Sequence, residues 1–307
     1  MSDFDISQPF TRAAALTAGI APGDLRTQRF VRVFRGVYVS SETSRPWIRE
    51  AAAVMLQNGP AFLSHHSAAL VHGVPVPHVP DVHVTVLEAP HRCHRLGIQP
   101  HVTTEEVPAV VQVDGLPISH PHRTFLELAG VLPLVELVVV GDAMARILGL
   151  EPEALRDACM QFAREGRHHA WSAGRAAHYV RAGVDSPMES RLRMLLVLAG
   201  LPEPEVNYPF RSNGRVRRRS ELAYPGVKLL IEYDGREHVE RIERWENDLR
   251  RREEFDRDDW QMVVVTASGV FRTPEQTVTR VRERLIARGW RPRPVLSDEW
   301  RLHFPGY

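Results

Sequence analysis

The chain is poor in cysteine, in lysine and in long apolar segments, and each shortage argues against a class of protein. Cys93 and Cys159 are the two cysteines among 307 residues. Without a C-x-x-C spacing they indicate neither a disulfide framework nor a cysteine-rich zinc site. Lys228 is the single lysine, so no second lysine can serve in catalysis. No apolar run is long enough to span a bilayer, and the acidic N-terminus lacks the apolar segment of a signal peptide. We therefore expect a cytoplasmic protein with no membrane association.

The remaining composition is that of an ordinary folded protein. Hydrophobic residues make up 43% of the chain and charged residues 25%, which is typical of globular domains. A length of 307 residues is too great for one ordinary domain, so two or three are expected. The net charge of +1 argues neither for nor against a nucleic-acid partner. Arginine suits phosphate binding through its planar fork, but a GC-rich genome explains the arginine bias more simply.

The most informative stretch is an apolar run that ends in two carboxylates, Leu229-Leu230-Ile231-Glu232-Tyr233-Asp234. The run is apolar on both faces, which is typical of a buried strand. Alternate residues of a strand point to the same side, so Glu232 and Asp234 are expected to share a face. Two acids at the end of a buried strand are costly unless their charge is compensated. A divalent cation is the simplest compensation, and the alternative is a purely structural pair of acids in a turn.

Residues from Phe10 to about Val39 follow the order helix, turn, helix and two-stranded wing that is typical of winged-helix DNA-binding domains. Residues 11–19 have the N-cap and the closing glycine of a helix. Residues 24–30 predict a second short helix, and the alternation around Gly36 predicts a hairpin. The alternatives are a helix-turn-helix in plain core structure and a solvated basic face. The candidate phosphate-binding residues, whose binding would depend on salt, are Arg26, Arg29, Arg32 and Arg35.

The middle of the chain mixes helical segments with a clear strand, Val82-His83-Val84-Thr85-Val86. Several histidines occur between residues 65 and 122 and raise the question of a zinc site. The earliest of them are His65, His66, His72 and His78. Because these residues lack a compact ligand spacing, we interpret them as helix-surface or hydrogen-bonded histidines.

The last third of the chain predicts a mixed α/β layer. A helix begins at Ser186-Pro187-Met188-Glu189, with Ser at the N-cap, Pro at N1 and Glu at N3. Strands are then predicted near 206–208, 218–223 and 229–233. A charged helix follows at 244–255, then a strand at 260–266 and an amphipathic helix at 273–288.

Five segments of this region, taken in order, carry a resemblance. They are Ser186-Pro-Met-Glu-Ser-Arg, Arg219-Ser-Glu-Leu-Ala-Tyr-Pro, Ile231-Glu-Tyr-Asp-Gly-Arg-Glu-His, Trp245-Glu-Asn-Asp-Leu-Arg-Arg-Arg and Trp260-Gln-Met-Val-Val-Val. The series resembles the PD-(D/E)XK restriction-endonuclease fold. It is most similar to the very-short-patch-repair (Vsr-like) endonucleases and their relatives of unassigned function, over about residues 185–290.

The resemblance implies a nuclease core with named ligands. Glu221 and Glu232 would hold Mg²⁺ with Asp234 as a supporting ligand, because Mg²⁺ prefers oxygen ligands and keeps several waters. His238 would transfer a proton or face the phosphate, since histidine has an ordinary pKa of about 6.5. The supporting candidates are Glu189, Asp248 and Arg251.

Two positions depart from the family pattern. Asp234 stands where the wider superfamily carries a lysine, although the Vsr-like branch also does without it. Glu221 stands where the family usually has Asp, and its extra methylene matters because an octahedral site tolerates little misplacement.

Each candidate also has a plain structural explanation. Glu221 fits an exposed strand acid paired with Arg218 or Arg219. His238 fits a surface residue, and Glu189 fits a capping box. Asp248 and Arg251 are three apart and fit a salt-bridged helix face.

The first two thirds of the chain carry a second resemblance. Its segments are Phe10-Thr-Arg-Ala-Ala-Ala-Leu, Val33-Phe-Arg-Gly-Val-Tyr-Val, Leu63-Ser-His-His-Ser-Ala-Ala-Leu-Val-His-Gly and Asp114-Gly-Leu-Pro-Ile-Ser-His-Pro-His-Arg-Thr-Phe-Leu-Glu-Leu-Ala. They are similar to the winged helix and the following domain of AbiEi-type antitoxins from type IV toxin–antitoxin systems. The resemblance implies repression of an operator through the winged helix.

We therefore expect an α/β chain, α+β overall, in four segments. These are a winged helix at 1–45, an antitoxin-like α+β domain at 46–180, an endonuclease-like mixed sheet flanked by helices at 181–292, and a tail at 293–307. The expected function is DNA binding with Mg²⁺-dependent cleavage of phosphodiester bonds. The alternative is an antitoxin-like transcriptional regulator with an inactive nuclease-like domain and a cognate toxin or operator as partner. A third hypothesis is a nuclease-like fold used only for protein contacts.

Overall fold

A computed structural model describes residues 4–212, 215–235, 259–291 and 296–306, with residues 210–212 and 215–218 described by their backbone alone. The predicted site residues His238, Asp248 and Arg251 lie outside these ranges. Helices combine with mixed and antiparallel sheets, so the predicted α+β class is confirmed. The chain divides into two compact units, 1–128 and 129–307. None of the helices in the described ranges is long and apolar enough to cross a membrane.

The N-terminal sheet of the first unit is antiparallel and has the order β1-β3-β2. Its elements are β1 (Phe10–Thr11), α1 (Arg12–Thr17), β2 (Phe30–Phe34) and β3 (Val37–Ser40). Helix α1 begins at the predicted N-cap, where the Thr11 hydroxyl accepts a hydrogen bond from the Ala14 backbone N–H at 3.1 Å. The buried side chains between helix and sheet are Phe10, Ala15, Leu25 and Phe30.

The hairpin predicted around Gly36 is confirmed, but the second helix predicted at residues 24–30 is wrong. Gly36 has a φ of +75°, a left-handed conformation that favours glycine, and β2 and β3 pair across it. The predicted helix is a single 3-10 turn, Asp24–Arg26. It ends because Thr27 is extended and its hydroxyl donates to the Asp24 carbonyl at 2.7 Å, the group that a continuing helix would need. Three residues are too few for a recognition helix along a major groove.

The second sheet of the first unit is mixed and has the order β6-β5-β4-β8-β7. Its elements in chain order are α2 (Ile48–Met55), β4 (Ala61–Leu63), α3 (His65–Val71), β5 (Val82–Val86), β6 (Ile98–Val102), β7 (Val110–Val113), β8 (Leu116–Ser119) and α4 (Pro121–Leu128). Strands β5 and β6 run parallel, as do β4 and β8, and the other pairs are antiparallel. The buried apolar residues of its core include Leu63, Val82, Val84, Ile98 and Ile118.

The second unit contains a four-stranded mixed sheet with the order β12-β11-β10-β9. Its elements are α5 (Leu134–Leu148), α6 (Pro152–Arg164), α7 (Ala170–Tyr179), α8 (Pro187–Leu198), β9 (Glu205–Ser212), β10 (Arg215–Tyr224), β11 (Leu229–Asp234), β12 (Gln261–Thr266), α9 (Ala267–Phe271) and α10 (Pro274–Ala287). Strands β9, β10 and β11 are antiparallel neighbours, whereas β11 and β12 run parallel. The buried strand predicted at 229–233 is confirmed, because its first four residues are all buried.

A buried ion pair joins helices α5 and α8. Asp142 and Arg193 are 1% and 0% exposed, and the Arg193 Nη2 lies 2.8 Å from the Asp142 Oδ2. The Ser190 hydroxyl also donates to Asp142, at 2.7 Å, and so does the backbone N–H of Arg181, at 2.8 Å. Burial raises the pKa of Asp142, and the charge of Arg193 opposes that rise. The carboxylate therefore depends on its arginine to stay ionised inside the unit.

We expect Arg193→Met to lower the free energy of unfolding by about 3–5 kcal/mol, because it leaves the Asp142 carboxylate buried without a cation. Urea denaturation followed by far-UV circular dichroism measures the loss. The matched control is Arg191→Met, which removes a partly exposed pair with Glu136 and should cost about 1 kcal/mol or less. Equal losses in the two variants would contradict a special role for the buried pair.

Candidate functional site

The predicted acids of the second unit lie where the pairing of β10 and β11 ends. The register of these strands runs from Tyr224↔Leu229 to Leu222↔Ile231. One residue further along β10, the Oε2 of Glu221 accepts a hydrogen bond from the backbone N–H of Tyr233 at 2.6 Å. The carboxylate of Glu221 thus reaches the main chain of the neighbouring strand, immediately beside Glu232.

Glu232 is a buried carboxylate at the end of a buried strand. It is 8% exposed, and its Oε1 accepts a hydrogen bond from the Ser220 hydroxyl at 3.1 Å. Asp234 is half-buried at the last position of β11, in parallel register with Thr266 of β12. The structure therefore places Glu221 and Glu232 on neighbouring strands, and Asp234 two residues further along β11. Glu221 is half-buried and not the exposed strand acid of the alternative interpretation.

Glu189 has the contacts of a helix cap. Its backbone N–H donates to the Ser186 hydroxyl at 3.2 Å, and its Oε2 accepts from the Asp185 backbone N–H at 3.1 Å. Burial raises the pKa of Glu189, and the hydrogen bonds of its carboxylate with the Asp185 backbone and the Ser186 side chain oppose the rise. The capping interpretation accounts for these contacts, while a supporting role in catalysis stays a prediction.

The four candidate DNA-binding arginines are all exposed on the N-terminal sheet and its turns. Arg26 closes the 3-10 turn, and Arg32 lies within β2. Arg29 precedes β2 and has its guanidinium 5.2 Å from the centre of the Phe30 ring. Arg35 lies in the turn between β2 and β3. Because the second predicted helix is a single turn, these four arginines would meet DNA from the sheet and its turns.

The first unit contains a histidine cluster that the sequence did not predict. His65 begins α3, while His83 and His101 lie on the parallel neighbours β5 and β6. One ligand nitrogen from each lies within 4.8 Å of the other two. Within the described ranges, this histidine triad is the group of three that meets this distance, and the acids Glu221, Glu232 and Asp234 do not meet it together.

The rings of the triad contact one another directly. His83 Nδ1 and His101 Nε2 are 3.0 Å apart. The rings of His65 and His101 are stacked, with centroids 3.9 Å apart and an interplanar angle of 17°. The ring of His66 lies 5.0 Å from that of His83. Four imidazoles are therefore packed together at the junction of α3, β5 and β6.

Buried polar groups hold the triad in place. The backbone N–H of His65 donates to the Oε2 of Glu127 at 3.0 Å, and that carboxylate also binds the Nε of Arg123, 2.7 Å from its Oε1. The backbone N–H of His83 donates to the Ser67 hydroxyl at 2.8 Å. Burial raises the pKa of Glu127, and the charge of Arg123 opposes that rise. The position of His65 thus depends on a buried carboxylate–guanidinium pair.

Burial sets the protonation state of the three histidines. Burial, together with the charges of the other cluster histidines, lowers the pKa of His65 from 6.5 to about 2. Burial likewise lowers the pKa of His83 and His101 to about 4. All three side chains are therefore neutral imidazoles at neutral pH, with a ring nitrogen free of its proton.

No protein-family model matches the chain. The sequence is 26% identical over 257 residues to two uncharacterized proteins of Mycobacterium tuberculosis, MT2308 of strain CDC 1551 and Rv2248 of strain H37Rv. The alignment covers 83% of this chain and 92% of each relative. Among solved structures, the chain is similar to the RV2827C protein from Mycobacterium tuberculosis, with a TM-score of 0.39 and 15% identity. That match covers 60% of this chain and 74% of the other. These similarities assign neither a family nor an activity.

The free energy of unfolding should fall as the pH drops from 6.5 towards 4. The protein is first treated with a chelator, so that the histidines and no bound metal determine the result. In that window the histidines charge in the unfolded chain but stay neutral in the folded one, so protons favour unfolding. The stability that depends on the neutral histidines is fully present above pH 6.5. Each such histidine contributes up to about 1.4 kcal/mol per pH unit within the window. Urea denaturation across the window measures the slope.

The matched variants for this slope are His83→Gln and His78→Gln. His78 is exposed, so its loss should leave the slope unchanged, while the loss of buried His83 should make it shallower. Identical slopes in the wild type and His83→Gln would contradict the assignment of the slope to the cluster.

Proposed function

We propose that the protein binds DNA and that its second unit cleaves phosphodiester bonds with Mg²⁺. The observation that carries the proposal is the placement of Glu221 and Glu232 at the point where the β10–β11 pairing ends. The mixed order of the sheet, with β11 parallel to β12 and antiparallel to β10, supports the nuclease-like architecture. The resemblance to Vsr-like endonucleases supports the same chemistry.

The donor set fits Mg²⁺. Carboxylate oxygens are the ligands that this hard cation prefers, and one or two of them suffice because it keeps several waters. Glu221 and Glu232 would hold the ion, with Asp234 in support. When bound, the ion would polarise a phosphoryl oxygen and provide an activated water.

The neighbours of these acids orient them before any ligand arrives. The Ser220 hydroxyl fixes one oxygen of Glu232, and the Tyr233 N–H fixes one oxygen of Glu221. Such orientation from surrounding donors is what a precise site requires. His238 would serve as the proton-transfer or phosphate-facing group in the proposed mechanism.

A second function is favoured by the same hydrogen bond at Glu221. A carboxylate that receives a main-chain N–H of the next strand also serves as a structural tie between the strands. In that case the second unit would be an inactive nuclease-like domain, and the protein an antitoxin-like regulator that binds an operator or a cognate toxin.

We expect the full-length protein to nick supercoiled plasmid DNA with Mg²⁺ or Mn²⁺, and Glu232→Gln to abolish nicking. The substitution keeps the shape of the side chain and an acceptor for Ser220 but removes the negative charge that a metal needs. Agarose-gel nicking assays with each metal measure the activity. The matched control is Glu283→Gln on the exposed face of α10, which should cut like the wild type.

DNA binding by each variant is measured in parallel by fluorescence anisotropy. If wild-type protein binds DNA but does not cut with either metal, the enzyme proposal fails and the regulator proposal takes its place. A Glu232→Gln variant that still nicks would exclude Glu232 as a ligand.

Binding should also depend on the arginines of the N-terminal sheet. Combining Arg32→Ala with Arg35→Ala should weaken DNA binding and make the plot of log affinity against log salt less steep. The slope should change by about 0.9 for each arginine that contacts a phosphate. The matched control is Arg164→Ala, an exposed arginine at the end of α6. An unchanged slope in the double variant would place the DNA-binding surface elsewhere.

A further inference from the structure

We propose that His65, His83 and His101 form a binding site for a divalent transition metal, with Zn²⁺ as the expected ion. The site lies in the first unit and uses none of the residues proposed for DNA cleavage. Imidazole nitrogens suit zinc and its neighbours in the transition series, whereas Mg²⁺ prefers oxygen. The donor set therefore points to a different metal from the one proposed for the acids.

The spacing of the nitrogens is close to that of a metal site. Two histidine ligands of a tetrahedral Zn²⁺, each with an N–Zn distance of about 2.0–2.1 Å, have their nitrogens about 3.3 Å apart. His83 Nδ1 and His101 Nε2 are 3.0 Å apart, and a nitrogen of His65 lies within 4.8 Å of both. A small separation of the first two rings and an approach of the third would complete the coordination.

Two buried polar atoms beside the triad support a ligand at this place. The Nδ1 of His66 and the hydroxyl of Thr85 are buried and have no hydrogen-bond partner among the residues that the structure describes. The two residues are 5% and 2% exposed. Thr85 is the register partner of His101 and lies two residues from His83 on the same face of β5. Buried polar atoms without partners are costly, and a water on the fourth position of a bound metal would give them a partner.

The groups around His65 have the arrangement of an outer ligand shell. His65 Nδ1 lies 3.0 Å from the Ser64 hydroxyl, which leaves its Nε2 for a metal. Metal-binding histidines commonly use their second ring nitrogen in this way. The φ of His65 is +49°, a strained conformation for a residue other than glycine, and such strain clusters at functional sites. The hydrogen bond from its N–H to Glu127 holds it there.

Three protein ligands leave one coordination position open. Structural zinc sites normally have four protein ligands, while three ligands and a water are typical of sites that bind or activate a small molecule. His65 and His101 are half-buried and His83 is buried. A site with two half-buried ligands would admit a small oxygen ligand such as water at the open position.

The test is isothermal titration of the chelator-treated, full-length protein with Zn²⁺ in the presence of excess Mg²⁺, which occupies the carboxylates. We expect one Zn²⁺ per chain. His83→Gln and His101→Gln should each weaken binding at least about 100-fold, since even outer-shell changes cost 10–100-fold. The matched control His78→Gln, on an exposed histidine, should bind like the wild type. Far-UV circular dichroism verifies that each variant is folded.

A second readout needs no variant. Co²⁺ added to the wild type should produce the visible absorption of a four- or five-coordinate ion with nitrogen ligands, and Zn²⁺ should abolish it. Absence of Zn²⁺ binding and of this Co²⁺ spectrum would overturn the proposal. Undiminished Zn²⁺ binding in both folded triad variants would overturn it as well. Neither result bears on plasmid nicking, so this site and the proposed nuclease function can fail separately.

Discussion

The burial of strand β11 is the constraint on which the proposed chemistry of the second unit depends. The strand is paired on both edges, and Leu229, Leu230 and Ile231 are fully buried. Glu232, the buried acid at its end, has little access to water and needs fixed donors. Ser220 and the main chain of β11 itself provide such donors to Glu232 and Glu221. Burial raises the free-energy cost of these charged carboxylates, and the donors that offset this cost also fix their orientation.

The two proposed metal sites differ in their donor atoms. The second unit presents oxygen donors at the end of a mixed sheet, and the first presents nitrogen donors at the junction of α3, β5 and β6. Hard cations select oxygen donors, and borderline transition metals select nitrogen donors. In both places the donors are held by buried hydrogen bonds, to Ser220 in one and to Glu127 in the other.

Local patterns predicted the elements well where one residue type decides the geometry. The caps at Thr11 and Ser186 are confirmed by their hydrogen bonds. The segment 229–233, whose first residues are apolar on both faces, forms the buried strand. The helix predicted at 24–30 failed because the Thr27 hydroxyl competes for a backbone carbonyl. Propensity alone does not reveal that competition.

The histidine triad was not predictable from spacing, because its members are brought together by tertiary structure. Parallel pairing of β5 with β6 places His101 opposite Thr85, within reach of His83 on the same face, and His65 has the left-handed conformation from which its ring joins them. One signal was present in the sequence, namely a histidine alternating with valines in Val82-His83-Val84. It indicates that His83 lies on the face of the strand opposite those valines. The partner of that face depends on strand order, which the sequence does not specify.

The most direct test of the central claim is a crystal structure of the full-length protein grown with Mn²⁺ as a substitute for Mg²⁺, with anomalous scattering recorded for manganese. The account predicts an anomalous peak in contact with the carboxylates of both Glu221 and Glu232, and loss of that peak in Glu232→Gln. A map with no peak at these carboxylates, in crystals where both side chains are well ordered, would contradict it.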